Sequence, residues 1–191
     1  MHRLDEAMDS EWRSREPPTI DVDAFFVLDR CRPHDGAALR RFDLDPATAR
    51  FFGWTVDQAR ALSEEHYEGV KCAQERLRAW HDRKKLLLMI RRRSDDAAVG
   101  WVELRPKADH AAEVSYMVDA DLRGRGLAPR ALEAFLSWAL LEIELREVRL
   151  ACHVENAASR RVAEKCNFAL IGQEEDEYRF SRTLVGEPSP D

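Results

Sequence analysis

Several of the features that would assign this chain to a membrane, a metal or a disulfide framework are missing or scarce. No apolar run in its 191 residues approaches the ~18 needed to cross a bilayer, and the opening MHRLDEAMDSEWRSREPP lacks the hydrophobic segment of a secretory leader. Cysteine is scarce. The four present, Cys31, Cys72, Cys152 and Cys166, show no paired spacing, which points to buried free thiols in a reducing cytosol and away from disulfides or zinc. The six histidines are scattered, so no metal site is expected. Basic residues are in deficit, 30 against 36 acidic ones, and a net charge of −6 argues against a nucleic-acid binder. The one tight basic run, Arg91-Arg92-Arg93, closes an apolar stretch and reads as a solvated hairpin flank. Glycine numbers only 8, yet two of them fall within three positions in D-L-R-G-R-G-L-A-P-R (residues 121–130).

The 45% of hydrophobic residues suffices for one domain with a sizeable core. Residues 1–19 are polar and close on Pro17-Pro18-Thr19, as a flexible arm would; 185–191 read as a disordered tail; 20–184 form the domain. Strands are expected at Ala24–Asp29, Lys85–Ile90, Val99–Arg105, Ala112–Val118, Val148–Val154, Ala169–Gly172 and Tyr178–Thr183. Helices are expected from Pro33 onward with Leu39 and Phe42 on one face, from an N-cap at Thr55 through Trp80, along Leu132, Phe135, Leu136, Ala139, Leu140 and Ile143, and over Asn156–Cys166. This order implies an α/β domain: a mixed, mostly antiparallel seven-stranded sheet with helices on both faces.

The glycine stretch lies between a strand and a helix, where the backbone itself carries chemistry. The first N–H groups of a helix have no intrahelical partner and sit at the positive end of its dipole. Glycines ahead of them allow positive φ and let a ligand approach without meeting a Cβ. Such a turn is either a plain solvated glycine turn or an anion site suited to phosphate or pyrophosphate, and Pro129 in the first turn has no N–H to lose. A Walker loop would need Gly-Lys-Ser/Thr where Leu127-Ala128-Pro129 stands, and a dinucleotide fingerprint would need a third glycine.

Arg123-Gly124-Arg125-Gly126-Leu127-Ala128 resembles the Q/R-x-x-G-x-G/A loop with which the GNAT N-acetyltransferase superfamily binds acetyl-CoA. Asn156 through Phe168 (NAASRRVAEKCNF) is similar to the same family's N-x-x-S-x-x-V-x-x-K-x-G-F helix, with Asn167 in place of the glycine. Asparagine tolerates the left-handed conformation wanted at a helix end, so the fold survives the change. Phe25–Leu28, Phe51-Phe52-Gly53-Trp54 and Glu113–Asp119 are similar to the RimJ/RimL branch, which acetylates N-termini of ribosomal proteins. The resemblance spans roughly Ile20 to Leu184.

The resemblance implies an acetyl-CoA-dependent N-acetyltransferase fold and direct attack of an amine on the thioester. Met117, Val118, the loop Arg123, Gly124, Arg125, Gly126, Leu127 and Ala128, and Asn156 would hold the cofactor; Asn156 would also cap its helix. Ala163 stands where many members carry the tyrosine that protonates the departing thiolate, and the branch's substitute would be Ser159. Glu103, Glu113 and His153 are alternatives for the base. Phe51, Phe52, Trp54, Trp101 and Tyr116 would line an acceptor pocket for a peptide N-terminus or a small-molecule amine. The acidic run Glu174–Glu177 is a solvated turn or a lure for a cationic acceptor. A cytoplasmic location is expected, nucleic acid and membrane are not expected partners, and homodimerisation stays open. The alternative is a non-catalytic acyl-CoA-sensing domain.

Overall fold

Runs rich in β-branched and aliphatic residues form the sheet, and the helices cover it on two sides. The computed structural model describes residues 15–62 and 64–184. The expectations for 1–14 and 185–191 therefore fall outside the described residues. The strands are β1 (Ile20–Asp21), β2 (Phe26–Asp29), β3 (Leu86–Arg92), β4 (Ala98–Pro106), β5 (Ala111–Val118), β6 (Glu147–His153), β7 (Ala169–Glu174) and β8 (Glu177–Thr183). They make one sheet in the order β1-β2-β3-β4-β5-β6-β8-β7. Every pairing is antiparallel except β5 with β6. The expected seven strands are joined by the two-residue β1, too short to leave a periodic signal.

The helices are α1 (Gly36–Asp43), α2 (Pro46–Phe52), α3 (Val56–Ala61), α4 (Gly69–His81), α5 (Leu127–Glu142) and α6 (Ala157–Lys165). β3 is buried at every position from Leu86 to Arg91, because both its faces are covered. On one side Leu88, Ile90, Val102, Leu104 and Val114 pack with Leu132, Phe135 and Leu136 of α5. On the other, Met89 and Met117 pack with Leu39 and Phe42 of α1 and Cys72 of α4. The four cysteines are free and buried, and desolvation pushes the Cys31 thiol up to about 11 and that of Cys166 up to about 12.

Two expectations need correction. The helix expected from Thr55 to Trp80 is broken. Thr55 does cap α3, accepting from Gln58 N–H, but Leu62 leaves in extended conformation, a 3₁₀ turn covers Glu64–Tyr67, and Glu68 caps α4 afresh. The break lets two backbones touch: a Cβ on Gly69 would lie 1.6 Å from the Pro33 carbonyl oxygen, and one on Gly36 2.2 Å from that of Tyr67. α2 also went unread, although Asp45-Pro46 starts it and Gly53, at φ 84°, ends it.

The second correction is Arg91. It is no solvated flank but 1% exposed, following Leu87 and Met89 on the covered face of β3. Its guanidinium grips Asp35 through two bonds, 2.8 and 3.2 Å, and donates to the carbonyls of Asp96 (2.8 Å) and Arg30 (3.3 Å).

The sheet positions the site by splitting. β5 and β6 pair only at Ala111–Glu147, Ala112–Val148 and Glu113–Arg149, yet β5 continues to Val118 and β6 to His153. Beyond Glu113 the two strands run without pairing, and a cleft opens between them.

Candidate functional site

The cleft holds about 1100 Å³ and is lined by the free part of β5 (Val114–Val118), by Leu150–Cys152 of β6, by α6, and by the turn into α5. That turn has the expected geometry. Gly124 and Gly126 are left-handed, at φ 76° and 73°, and α5 begins at Leu127 with no side-chain cap. The Arg130 guanidinium, held by Asp23 at 2.9 Å, donates to the carbonyls of Arg125 (3.2 Å) and Gly126 (3.0 Å). Loop carbonyls are thus occupied from one side, and the first-turn amides of the helix are left for a ligand. A Cβ on Gly124 would meet no protein atom within 4 Å, so its Cα faces open space.

Arg123 departs from the simplest expectation. Its side chain turns into the fold, donating to the Val118 carbonyl at 3.0 Å, to Asp45 at 2.6 Å and to Thr48 at 3.0 Å. Only its backbone remains to a ligand. Burial alone would raise the Asp45 carboxyl, but Arg123 and the Thr48 amide hold it below the usual range. Asp45 also caps α2, so the glycine turn is tied to the helix carrying Phe51 and Phe52.

Asn156 does cap α6: its Oδ1 accepts from Ser159 N–H at 3.0 Å, and its amide NH₂ remains to donate into the cleft it lines. Ser159, half-buried in the first turn of α6, has its Oγ 2.8 Å from the Tyr116 hydroxyl. Ala163, at the position of the family tyrosine, is fully buried. Asn167 is left-handed at φ 56°, as a helix-ending asparagine should be.

The expected carboxylates separate. Glu103 is 5% exposed, bonded to Arg105 at 2.6 Å and paired with Lys85 at 3.3 Å, and it is not among the residues lining the cleft. Its strand position had suggested a cleft wall; the pleat instead points it under the two cations. Glu113 does line the cleft, at the last paired position before the strands part, with Lys107 at 3.3 Å and Arg105 at 3.5 Å. His153 Nδ1 accepts from the Glu155 amide at 3.1 Å, and the residue is outside the lining set.

The expected aromatic pocket is also divided. Phe52 lies 5.4 Å from Trp54 and 5.6 Å from Trp101, ring centre to ring centre, and lines the cleft beside Phe51. Trp54 is fixed by its Nε1–H donating to the Asp43 carbonyl at 3.0 Å. Tyr116 faces the other way, toward α6, because neighbouring strand positions alternate between faces. In the acidic turn, Glu174 and Glu177 line the cleft and both pair with Arg179, at 3.3 and 3.0 Å.

Arg161, and Lys165 that matches the lysine of the helix motif, were given no role from the sequence. Both line the cleft, and among the described residues neither makes an ion pair or hydrogen bond, unlike Arg160, which pairs with Glu164 at 3.5 Å. The signal was available: Ala158, Arg161, Val162 and Lys165 fall on one stripe of α6 at helical spacing.

Comparison with known proteins agrees with this geometry. A profile of the acetyltransferase (GNAT) domain matches residues 26–169. YdaF of Bacillus subtilis (strain 168), which bears the name of a ribosomal N-acetyltransferase, is 27% identical over 84 residues; the match spans 43% of this chain and 46% of YdaF, about half the length of that curated relative. The structure of RimL, a ribosomal L7/L12 α-N-protein acetyltransferase in complex with coenzyme A, superposes with a TM-score of 0.74 at 19% identity, over 87% of this chain and 98% of the other. The ribosomal-protein-S5-alanine acetyltransferase of Vibrio fischeri gives 0.74 at 14%, over 87% and 96%. With three quarters of its length matched by the profile and the cleft in the corresponding fold, this chain belongs to the GNAT acetyltransferase family.

Proposed function

We propose that the chain transfers the acetyl group of acetyl-CoA to a primary amine, with the α-amine of a protein N-terminus as the acceptor. The observation that carries this reading is the glycine turn. Its amides face a cleft that opens where two strands part; a Cβ at Gly124 would meet no described atom within 4 Å, and one at Gly126 would meet the Arg130 guanidinium at 3.2 Å. Loop amides and the α5 dipole hold the diphosphate; the unpaired edge of β5 and the Asn156 amide hold the pantetheine arm; Arg161 and Lys165, cleft-lining cations without an ion pair among the described residues, meet the remaining negative charge. The ribosomal-protein substrates named for RimL and the Vibrio enzyme favour a peptide α-amine.

Positioning supplies most of the rate. The amine nitrogen bonds to the acetyl carbon, the C–S bond breaks with its electron pair going to sulfur, and one proton passes from nitrogen to sulfur overall. Glu113, where the two strands begin to part, accepts the nitrogen's proton through water, and Ser159 donates a hydrogen bond to the sulfur.

Release of free thiol from acetyl-CoA, measured over a panel of N-terminal peptides and small amines, tests the reading. At least one peptide supports turnover if it holds. Tight CoA binding with no thiol released to any amine replaces it with the sensing role. Replacing Arg161 and Lys165 together by alanine raises KM for acetyl-CoA about tenfold and leaves kcat unchanged, since binding to a remote phosphate is equal in the ground and transition states.

A further inference from the structure

Helix α6 carries Ala163 where a tyrosine would reach the sulfur, and Ala163 is fully buried, so that face of the helix offers no proton donor of its own beyond Ser159. A tyrosine arrives at the same place from the strand. The Tyr116 hydroxyl, from the free part of β5, is 2.8 Å from Ser159 Oγ and 3.4 Å from the Ser159 carbonyl oxygen. Its ring packs against the main core, which a phenylalanine would do equally well. The hydroxyl is therefore the part that packing does not explain.

We infer that Tyr116 is a positioning residue for acyl transfer: its O–H donates to Ser159 Oγ and thereby turns the serine proton out of the helix, toward the sulfur that leaves. The inference rests on the acyl-transfer reading above. Two hydroxyls share one short contact, and only two arrangements satisfy them. If Ser159 donated to Tyr116, the serine would have no proton left for the cleft, and the tyrosine proton would be left with the 3.4 Å contact to the carbonyl, near the limit of a hydrogen bond. If Tyr116 donates, the short contact is used and Ser159 keeps its proton for the cleft side, where the other side-chain partner is the Cys152 thiol, itself held above its ordinary pKa by burial. Burial pushes the Tyr116 phenol well above its ordinary value, against the opposing pull of Ser159, so the tyrosine keeps its proton throughout the working range and remains a donor. Donation to Oγ polarises the serine hydroxyl and strengthens the bond it gives in turn.

No proton leaves Tyr116 in this scheme. The C–N bond forms, the C–S bond breaks with its pair on sulfur, the amine loses the proton the thiol finally carries, and the Tyr116–Ser159 chain holds the charge on sulfur meanwhile.

A double-mutant cycle on the full chain with acetyl-CoA and the best peptide of the panel tests this. Ser159→Ala lowers kcat roughly 100-fold, as loss of a catalytic donor does. Tyr116→Phe lowers kcat about tenfold with KM for acetyl-CoA unchanged, and in the Ser159→Ala background it has no further effect. Multiplying losses, or a Tyr116→Phe effect confined to KM, overturns the inference while leaving the serine in place. A Ser159→Ala variant as fast as the parent removes the serine reading and this one with it, whereas thiol release by the parent still decides the transferase reading separately. Should Tyr116→Phe be poorly folded, Tyr116→Leu in the same cycle keeps the comparison: the inference requires that its loss, too, vanish without Ser159.

Discussion

Gly124→Asn binds acetyl-CoA at least 100-fold more weakly than the parent while melting at nearly the same temperature. The two halves of this expectation come from different properties of one position. Gly124 sits at φ 76°, where most side chains strain the backbone, but asparagine tolerates that region better than any other residue with a Cβ. The added Cβ meets no described atom within 4 Å, so the folded state loses little. What it enters is the space in front of the uncapped first turn of α5. If two charge-assisted bonds from loop amides to a diphosphate are displaced, at about 1.5–3 kcal/mol each, the affinity falls by two orders of magnitude or more. Calorimetric titration with acetyl-CoA beside a thermal melt reads both quantities. An unchanged dissociation constant would show that the turn is not the anchor, and with it would go the reading of the whole cleft.

How much of this was legible in the sequence depended on whether the signal was local. The geometry of the glycine turn was, because strand, paired glycines and helix start adjoin and each glycine's positive φ is a property of its own backbone. The Asn156 cap and the left-handed Asn167 were legible for the same reason: a helix end is specified within four residues. What escaped is set by partners distant in the chain. The helix expected from Thr55 to Trp80 fails because Gly69 must touch Pro33, 36 positions earlier, and periodicity holds no trace of that contact. Glu103 was placed on the correct strand but lies outside the cleft, and Tyr116 lines the cleft but faces α6 and not the other aromatics. A strand fixes which residues share a face, and only the covering helices decide which face becomes cleft. Arg123 has the residue type the motif asks for, yet its guanidinium serves the fold, reaching Asp45 and Thr48 on a helix the sequence reading had passed over.

Arg91→Met destabilises the chain by about 3–5 kcal/mol, the cost of leaving a buried carboxylate without its cation. Arg91 and Asp35 are each 1% exposed and joined in a two-bond grip, so screening by solvent does not soften the loss as it would for the exposed pairs of this protein. Asp35 is anchored as well as paired: its Oδ2 accepts from the Arg32 amide at 2.7 Å, which closes the turn leading into α1. Removing the guanidinium also releases the Asp96 and Arg30 carbonyls it bonds, so the turn between β3 and β4 and the segment after β2 loosen together. For a domain of this length the expected drop in melting temperature is on the order of 10 °C. Adding Asp35→Asn recovers a good part of it, because the amide still accepts from Arg32 but no longer buries a charge. Thermal melts of the parent, the single and the double variants check the sequence of effects; a single variant within about 1 kcal/mol of the parent would mean that water reaches the cluster and that the run at 91–93 is a solvated flank after all. Because α1 carries Leu39 and Phe42 into the core beneath Met117, which lines the cleft, the single variant should also bind acetyl-CoA less tightly near its melting point and normally well below it.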